Sequence, residues 1–248
     1  MERRDTEYQL NQGDWDKLIA SQSAIFTPQA LVSLSRQLSS EFHHGRADGV
    51  PMPELDAAAM NTPDDWALAE RIGGYDLPCL ITGEVPSRGR IVLCAQDPLR
   101  SWQVTPGITV GCPFGVDVPK MRHQRKSNGL VWGVVRACVD SGYDVWLTDA
   151  WKLWLKGRKP QGFYDKMAQV LRAELKAVDA DGVVALGRKA EHALQQFNVP
   201  DVVSLPHPAL YHKKAWYFDG HTAAFQDTVE GRFEAKVAKY WGEIERHF

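Results

Sequence analysis

The sequence predicts an α/β fold in three layers, α/β/α, with a four-stranded parallel sheet at the centre. Two observations predict it. Four short apolar runs rich in β-branched residues are each bounded by Gly, Pro or Asp, as expected for strands buried on both faces. Segments with the apolar period of a helix separate these runs, and such alternation is typical of a parallel sheet covered by helices.

These elements occupy the second two thirds of the chain. The predicted strands are RIVLCA from Arg90, DVWLT from Asp144, GVVAL from Gly182 and DVVSL from Asp201. Helices are predicted over 128–142, 162–180, 188–197 and, as a closing helix, 222–247.

The first part of the chain has a different sequence pattern, with helix starts and a Pro- and Gly-rich stretch instead of buried strands. Helices are predicted over 27–42 and 62–74, because both segments open on Thr-Pro and the second ends at Gly-Gly. The stretch 45–61 is broken by Pro and Gly and is predicted as a loop. We therefore expect residues 1–78 to form a helical appendage packed on the core, and residues 79–248 to form the α/β domain that carries the chemistry.

Composition limits the classes of protein to which the chain can belong. The 248 residues are 44% apolar and 24% charged, which is typical of a folded globular protein and atypical of disordered or fibrous chains. The net charge of −2 means that any nucleic-acid binding must come from a local basic surface. The N-terminus lacks a signal-like apolar region and no stretch approaches membrane-spanning length, so a cytoplasmic protein without membrane contact is expected.

The cysteines are widely spaced and include no C-x-x-C pair. They are Cys79, Cys94, Cys112 and Cys138. This spacing predicts reduced thiols and no zinc or iron–sulfur site.

Polar side chains follow three of the predicted strands. Gln96 and Asp97 come directly after the first strand, Asp149 and Lys152 after the second, and His207 after the last. Since the carboxyl ends of parallel strands share one edge of a sheet, and ligands bind beyond that edge, we expect these groups to converge on one site.

The same motifs, in the same order, resemble those of the uracil-DNA glycosylase superfamily. VLCAQDP is followed by a loop that reaches PFGV, then by VWLTDAWK and LPHPAL, and SNGLVW resembles the helix start before the second strand. Members of this superfamily carry Gln-Asp-Pro, a stacking Phe, a base-reading Asn and His-Pro at these places. The resemblance covers roughly Leu80 to Tyr211 and leaves the N-terminal part unexplained.

The resemblance implies a monofunctional DNA glycosylase, which flips a base out of the helix and hydrolyses its N-glycosidic bond without cofactor or metal. Asp97 would orient or activate water and stabilise the cationic sugar, and His207 would donate to the O2 edge of the leaving base. Phe114 would be the stacking platform, with Leu210 or Tyr211 as the wedge in the duplex. Backbone amides near Gln96 would add donors.

Two departures from the superfamily pattern bear on the choice of base. Leu99 stands where uracil-specific members place a group that blocks carbon 5, so a 5-substituted base fits. Asp149 stands in place of the base-reading Asn, and an ionised Asp accepts from the amine of cytosine. Facing O4 of uracil, an ionised Asp149 would leave two hydrogen-bond acceptors unpaired, which costs about 1–3 kcal/mol of binding free energy. We expect a cytosine-type base enlarged at C5, such as hydroxymethylated or glucosylated cytosine of phage DNA, and a role in anti-phage defence.

The expected partner is DNA, bound by a monomeric, nucleoid-associated protein of bacterial or phage-related origin. Basic side chains are dense from Lys120 to Gly129, where a helix starts, and such loops hold phosphate. The predicted DNA contacts are Arg100, Arg122, Arg125, Lys126, Ser127, Lys152, Pro208, Leu210, Tyr211 and Lys213.

Other interpretations stay open from the sequence. The chain is alternatively a conventional uracil or mismatch glycosylase of base-excision repair, with Asp149 protonated or turned away, or a catalytically silent DNA-binding relative. Asp149 is alternatively a helix cap or the partner of Lys152. A nucleotide-binding α/β protein is disfavoured because no Gly-rich phosphate loop follows the first strand.

Overall fold

The chain folds as a mixed α/β protein. A computed structural model describes residues 8–11, 15–47, 50–61, 70–84, 87–98, 107–156, 163–209, 216 and 228–248. The described strands are β1 (Gln9–Asn11), β2 (Glu54–Leu55), β3 (Ile72–Asp76), β4 (Cys79–Thr82), β5 (Gly89–Ala95), β6 (Ile108–Gly111), β7 (Tyr143–Asp149), β8 (Leu153–Leu155), β9 (Gly182–Leu186) and β10 (Val202–Leu205). The described α-helices are α1 (Trp15–Gln22), α2 (Pro28–His44), α3 (Pro119–Arg122), α4 (Ser127–Asp140), α5 (Tyr164–Val178), α6 (Arg188–Gln196) and α7 (Val229–Glu245). Short 3-10 helices cover Ala57–Ala59 and Pro113–Gly115.

The larger sheet has six strands in the order β1-β4-β7-β5-β9-β10. The four strands predicted from the sequence lie side by side in it, because β7 and β9 pair in parallel with β5, and β10 pairs in parallel with β9. The sheet does not end there, since β4 and β1 extend it in antiparallel pairing. The expected four-stranded parallel sheet is thus corrected to a mixed six-stranded one.

The N-terminal part contributes to both sheets. Its first strand, β1, forms an edge of the larger sheet, and β2 and β3 belong to a second, four-stranded sheet in the order β2-β6-β3-β8. The helix predicted over 62–74 is wrong at its end, since 72–74 begin strand β3; residues 62–69 lie outside the described part. Every residue of β3 is buried, and paired glycines are unfavourable in a helix interior. A Cβ added at Gly73 would lie 2.1 Å from the ring of Trp154, so glycine fits this strand where a side chain would not.

The strands that carry the proposed site run through the middle of the core. Residues Ile91–Ala95 and Val145–Asp149 are buried, which explains the continuous apolar runs in the sequence. Helix α4 packs on β7 and on α7. It begins close to the preceding loop, because a Cβ added at Gly129 would lie only 1.5 Å from the carbonyl oxygen of Gln124.

Candidate active site

The carboxyl ends of β5 and β7 are tied together by the backbone. Ala95 lies opposite Asp149 in the parallel register. Past the strand ends, the amide of Ala150 donates to the carbonyl of Ala95 at 2.9 Å, and the amide of Trp151 donates to the carbonyl of Gln96 at 2.9 Å. The residues that follow both strands are therefore held at one edge of the sheet, which brings Asp97 next to Asp149.

Asp97 is oriented by its neighbour. The side-chain amide of Gln96 donates to Oδ2 of Asp97 at 2.7 Å, and both side chains are half-buried. Asp97 lies close enough to Asp149 and His207 to act electrostatically on the pKa of each. A half-buried carboxylate positioned by a neighbouring side-chain amide is suited to orient a water molecule.

His207 joins the site from the end of β10. The amide of Gly187 donates to the carbonyl of Leu205 at 2.7 Å, and the Tyr240 hydroxyl donates to the carbonyl of Pro206 at 2.6 Å, so the loop is anchored on both sides. A Cβ added at Gly187 would lie 2.8 Å from the Cβ of His207, and Gly187 has a φ of +100°. A side chain at position 187 would collide with His207, so glycine is required there.

The hydrogen bonding of His207 fixes its tautomer. The amide of Ala209 donates to Nδ1 of His207 at 3.1 Å, so Nδ1 is the acceptor and the neutral ring carries its proton on Nε2. Burial lowers the pKa of His207; Asp97 opposes this shift and Lys189 adds to it. At neutral pH the ring therefore offers Nε2–H as a neutral donor.

Phe114 faces His207 and has a strained backbone. The two ring centroids are 6.1 Å apart with an interplanar angle of 36°. Phe114 has φ 57° and ψ 12°, a left-handed conformation that costs a residue other than glycine about 1–3 kcal/mol. Asn128 helps to hold it, since its Nδ2 donates to the carbonyl of Phe114 at 2.8 Å. Such strain is a common property of functional sites.

Asp149 is buried and hydrogen-bonded to a second carboxyl group. Its side chain belongs to a residue that is 2% exposed, and a side-chain hydrogen bond joins it to Asp76 at the end of β3. Burial raises the pKa of Asp149 far above its ordinary value; repulsion from Asp76 and Asp97 adds to the rise and Lys152 opposes it. Burial beside two other carboxyl groups favours the protonated form of Asp149 over the ionised form expected from the sequence. The choice of an ionised Asp149 as the base-reading group stays a prediction.

The prediction that Lys152 contacts DNA is wrong, because this side chain is fully buried. Its exposed fraction is 0%, and its Nζ lies 2.5 Å from Oε2 of Glu174 and 2.5 Å from Oγ1 of Thr148. Glu174 also accepts from Trp146 at 2.8 Å and from Gln22 at 2.7 Å. Lys152 is thus part of a buried polar network behind Asp149.

The predicted phosphate-binding loop is divided between buried and exposed side chains. Arg122 is 5% exposed, stacks on Phe42 and donates to the carbonyl of Val116 at 2.6 Å, so its predicted DNA contact is also wrong. Arg125 and Lys126 are exposed, and their contact with DNA stays a prediction. Arg125 forms an exposed ion pair with Glu230.

Two further predicted contacts, Ser127 and Pro208, are partly buried. Ser127 lies at the start of α4, and Pro208 lies beside His207. The remaining predicted site residues lie outside the described part of the chain; they are Leu99, Arg100, Leu210, Tyr211 and Lys213.

Sequence reasoning missed two residues that shape the site. Asp76 is not among the predicted site residues, because the first part of its strand has the pattern of a helix end. The signal that identified Asp149, a buried run ending in Asp, is nevertheless present at Asp76. Asn128 belongs to the predicted start of a helix, and nothing in the sequence indicates its bond to the carbonyl of Phe114.

Comparison with known proteins gives no assignment. No protein-family model matches the chain, and no curated protein matches it significantly. Within the described residues, no helix is both long enough and apolar enough to cross a bilayer, and no cluster of three or more His, Cys, Asp or Glu side chains is arranged to hold a metal ion.

Proposed function

We propose that this chain is a DNA glycosylase that hydrolyses the N-glycosidic bond of a flipped base, with a core of the uracil-DNA glycosylase type. One observation carries the proposal: Asp97, Phe114, Asp149 and His207 come from four separate segments and meet at one edge of the sheet. A carboxylate, a neutral donor, an aromatic face and a base-reading carboxyl are the groups that this reaction needs.

Each group has a role that follows from its contacts. The flipped base stacks on Phe114, and the Nε2–H of His207 donates to O2, where negative charge gathers as the bond to the sugar breaks. Asp97, held by Gln96, orients the water that attacks C1′ and stabilises the cationic sugar. The reaction is the addition of water across the glycosidic bond.

We propose a cytosine-type base, enlarged at C5, as the substrate. A carboxyl group that holds a proton donates through O–H to N3 of cytosine and accepts from N4–H. The same group pairs with O4 and N3–H of uracil, so protonation weakens the argument against uracil. The raised pKa of Asp149 thus makes a uracil glycosylase of base-excision repair the second candidate.

DNA would be held on the side of the site where basic side chains are exposed. Arg125 and Lys126 lie at the start of α4. A groove beside Trp151, lined also by Arg188 and Lys189 at the start of α6, continues the same rim. Phosphates bind at such helix starts, and affinity should fall steeply with added salt.

The test is a product analysis by mass spectrometry. Matched duplex and single-stranded oligonucleotides would carry uracil, cytosine, 5-methylcytosine, 5-hydroxymethylcytosine or glucosylated 5-hydroxymethylcytosine. We expect free base from one or more cytosine types, lost in Asp97→Asn. Asp144→Asn, at the opposite end of β7, is the matched control and should retain activity. Release of uracil alone would select the second candidate, and DNA binding without release would indicate a silent relative.

A further inference from the structure

We propose that the Asp76–Asp149 pair is the general acid of the reaction: it stores one proton and delivers it to N3 of the departing cytosine-type base. This inference rests on the proposed function and adds a catalytic group to it. Asp149 would touch the base, whereas Asp76 would be a positioning residue that keeps the proton in place.

The geometry supports this role in two ways. Asp76 and Asp149 end strands of different sheets, so the fold brings two carboxyl groups together at the edge where Asp97 and His207 lie. In addition, Oδ2 of Asp149 is buried, and no hydrogen-bond partner for it is found among the described residues. An unpartnered buried carboxyl oxygen is costly, and a ring edge carrying N3 and an amine would satisfy it.

The charged surroundings favour a stored proton. Asp76 from β3 and Asp97 after β5 face Asp149 with negative charge, and Lys152 after β7 is the opposing cation. That cation is itself committed to Glu174 at 2.5 Å. Burial and two carboxyl neighbours thus favour the protonated form of the pair, against a single lysine that is already paired.

A stored proton serves a cytosine-type base and has no comparable use for uracil. Cytosine has a lone pair at N3, and without a proton it must depart as an anion. Uracil already carries hydrogen at N3 and spreads its charge over O2 and O4. The proton therefore explains why a carboxyl pair, rather than an amide, would stand at this position.

The O–H bond of Asp149 breaks as the N3–H bond forms, and the electron pair of the C1′–N1 bond moves onto the base. The base departs as its neutral tautomer with hydrogen on N3, and water adds to C1′ while its second proton passes to Asp97. Exchange with solvent then returns a proton from Asp97 to the carboxyl pair.

The experiment is the pH dependence of single-turnover release of 5-hydroxymethylcytosine from a duplex oligonucleotide. In the wild-type protein, activity should fall as pH rises through the pKa of the pair. Asp76→Asn removes a neighbouring negative charge, so this fall should move to lower pH by about one pH unit or more. Asp149→Asn should lose about 10²-fold or more at all pH values. Asp144→Asn should behave as the wild type.

A second measurement needs no variant at the pair. Replacing N3 of the base with C–H, in the 3-deaza analogue, removes the proton acceptor; the wild-type protein should then release it about as slowly as Asp149→Asn releases 5-hydroxymethylcytosine. Three results would overturn the inference: fast release of the analogue, a pH profile that does not move in folded Asp76→Asn, and release of uracil only. The protein would then be a glycosylase that depends on Asp97 without a stored proton. Absence of release from every oligonucleotide would instead overturn the proposed function.

Discussion

The ring of His207 lies 6.1 Å from the ring of Phe114, inclined by 36°. A base stacked between two parallel rings needs about 7 Å, twice the contact distance of about 3.5 Å. The gap is too narrow and too tilted for that arrangement. A base stacked on Phe114 would therefore meet His207 with its edge, which is the approach required of a hydrogen-bond donor.

His207 should act through its Nε2–H. We expect His207→Ala to lower kcat for base release by about 10²–10³-fold, the usual effect of removing a donor to developing negative charge. His207→Gln, which retains a side-chain N–H, should recover part of the loss. Protonation would place a hydrogen on Nδ1 against the amide of Ala209. Since the pKa of His207 is lowered, the loss of activity caused by this protonation should appear only below about pH 6.5. An Ala variant as active as the wild type would contradict this role.

Phe114 should contribute stacking energy. Base–aromatic stacking is worth about 1–3 kcal/mol by alanine substitution, so Phe114→Ala should lower kcat/KM by about 5–150-fold. Phe114→Tyr retains the ring face and is the matched control. Single-turnover kinetics on the same oligonucleotide would compare them. An alanine variant as active as the tyrosine variant would contradict the stacking role.

Lys152 should matter for stability rather than for DNA binding. Lys152→Met would leave Glu174 buried and uncompensated, and we expect the free energy of unfolding to fall by about 3–5 kcal/mol. Lys239→Ala breaks a helical surface pair with Glu243 and should cost only about 0–1 kcal/mol. Urea unfolding would measure both. A Lys152 variant that is stable but weak in DNA binding would restore the original prediction.

Asp117 should make the stability depend on pH. Burial raises the pKa of this carboxyl from its ordinary value of 3.8 to about 6. Between these values the folded protein retains a proton that the unfolded chain has lost, so the free energy of unfolding falls as pH rises. The loss is about 3 kcal/mol at about 1.4 kcal/mol per pH unit.

The matched variant for this titration is Asp117→Asn. Asparagine retains an oxygen that can accept from the amide of Cys112, now 2.9 Å from Oδ1, but it does not titrate. The stability of the wild-type protein relative to this variant should decline between about pH 4 and pH 6 in urea unfolding. Parallel pH curves would show that the pKa of Asp117 is the same in the folded and unfolded protein, and would contradict the raised value.

Sequence patterns predicted the central strands well and the rest of the sheet poorly. β5, β7 and β9 contain buried apolar runs, so their patterns are unambiguous. The edge strand β10 buries Leu205 and exposes Ser204, and its apolar run still identified it as a strand. Strands such as β1 and β2 have three and two residues, too few for any periodicity, and depend on pairing with distant partners. The burial of Lys152 could not be predicted from the sequence either, since its partner Glu174 lies on a different element. Long-range pairing decides such cases.

The buried polar network makes the N-terminal part inseparable from the site. Gln22, at the end of α1, donates to Glu174 at 2.7 Å and accepts from the hydroxyl of Tyr75 at 2.8 Å. A protein truncated to residue 79 onwards would lose Gln22, Tyr75 and Asp76 together. The Lys152–Glu174 pair behind Asp149 would lose the hydrogen bond from Gln22, and β4 would lose its pairing with β1. Because an unpaired strand edge promotes aggregation, such a fragment should aggregate rather than act as a minimal enzyme.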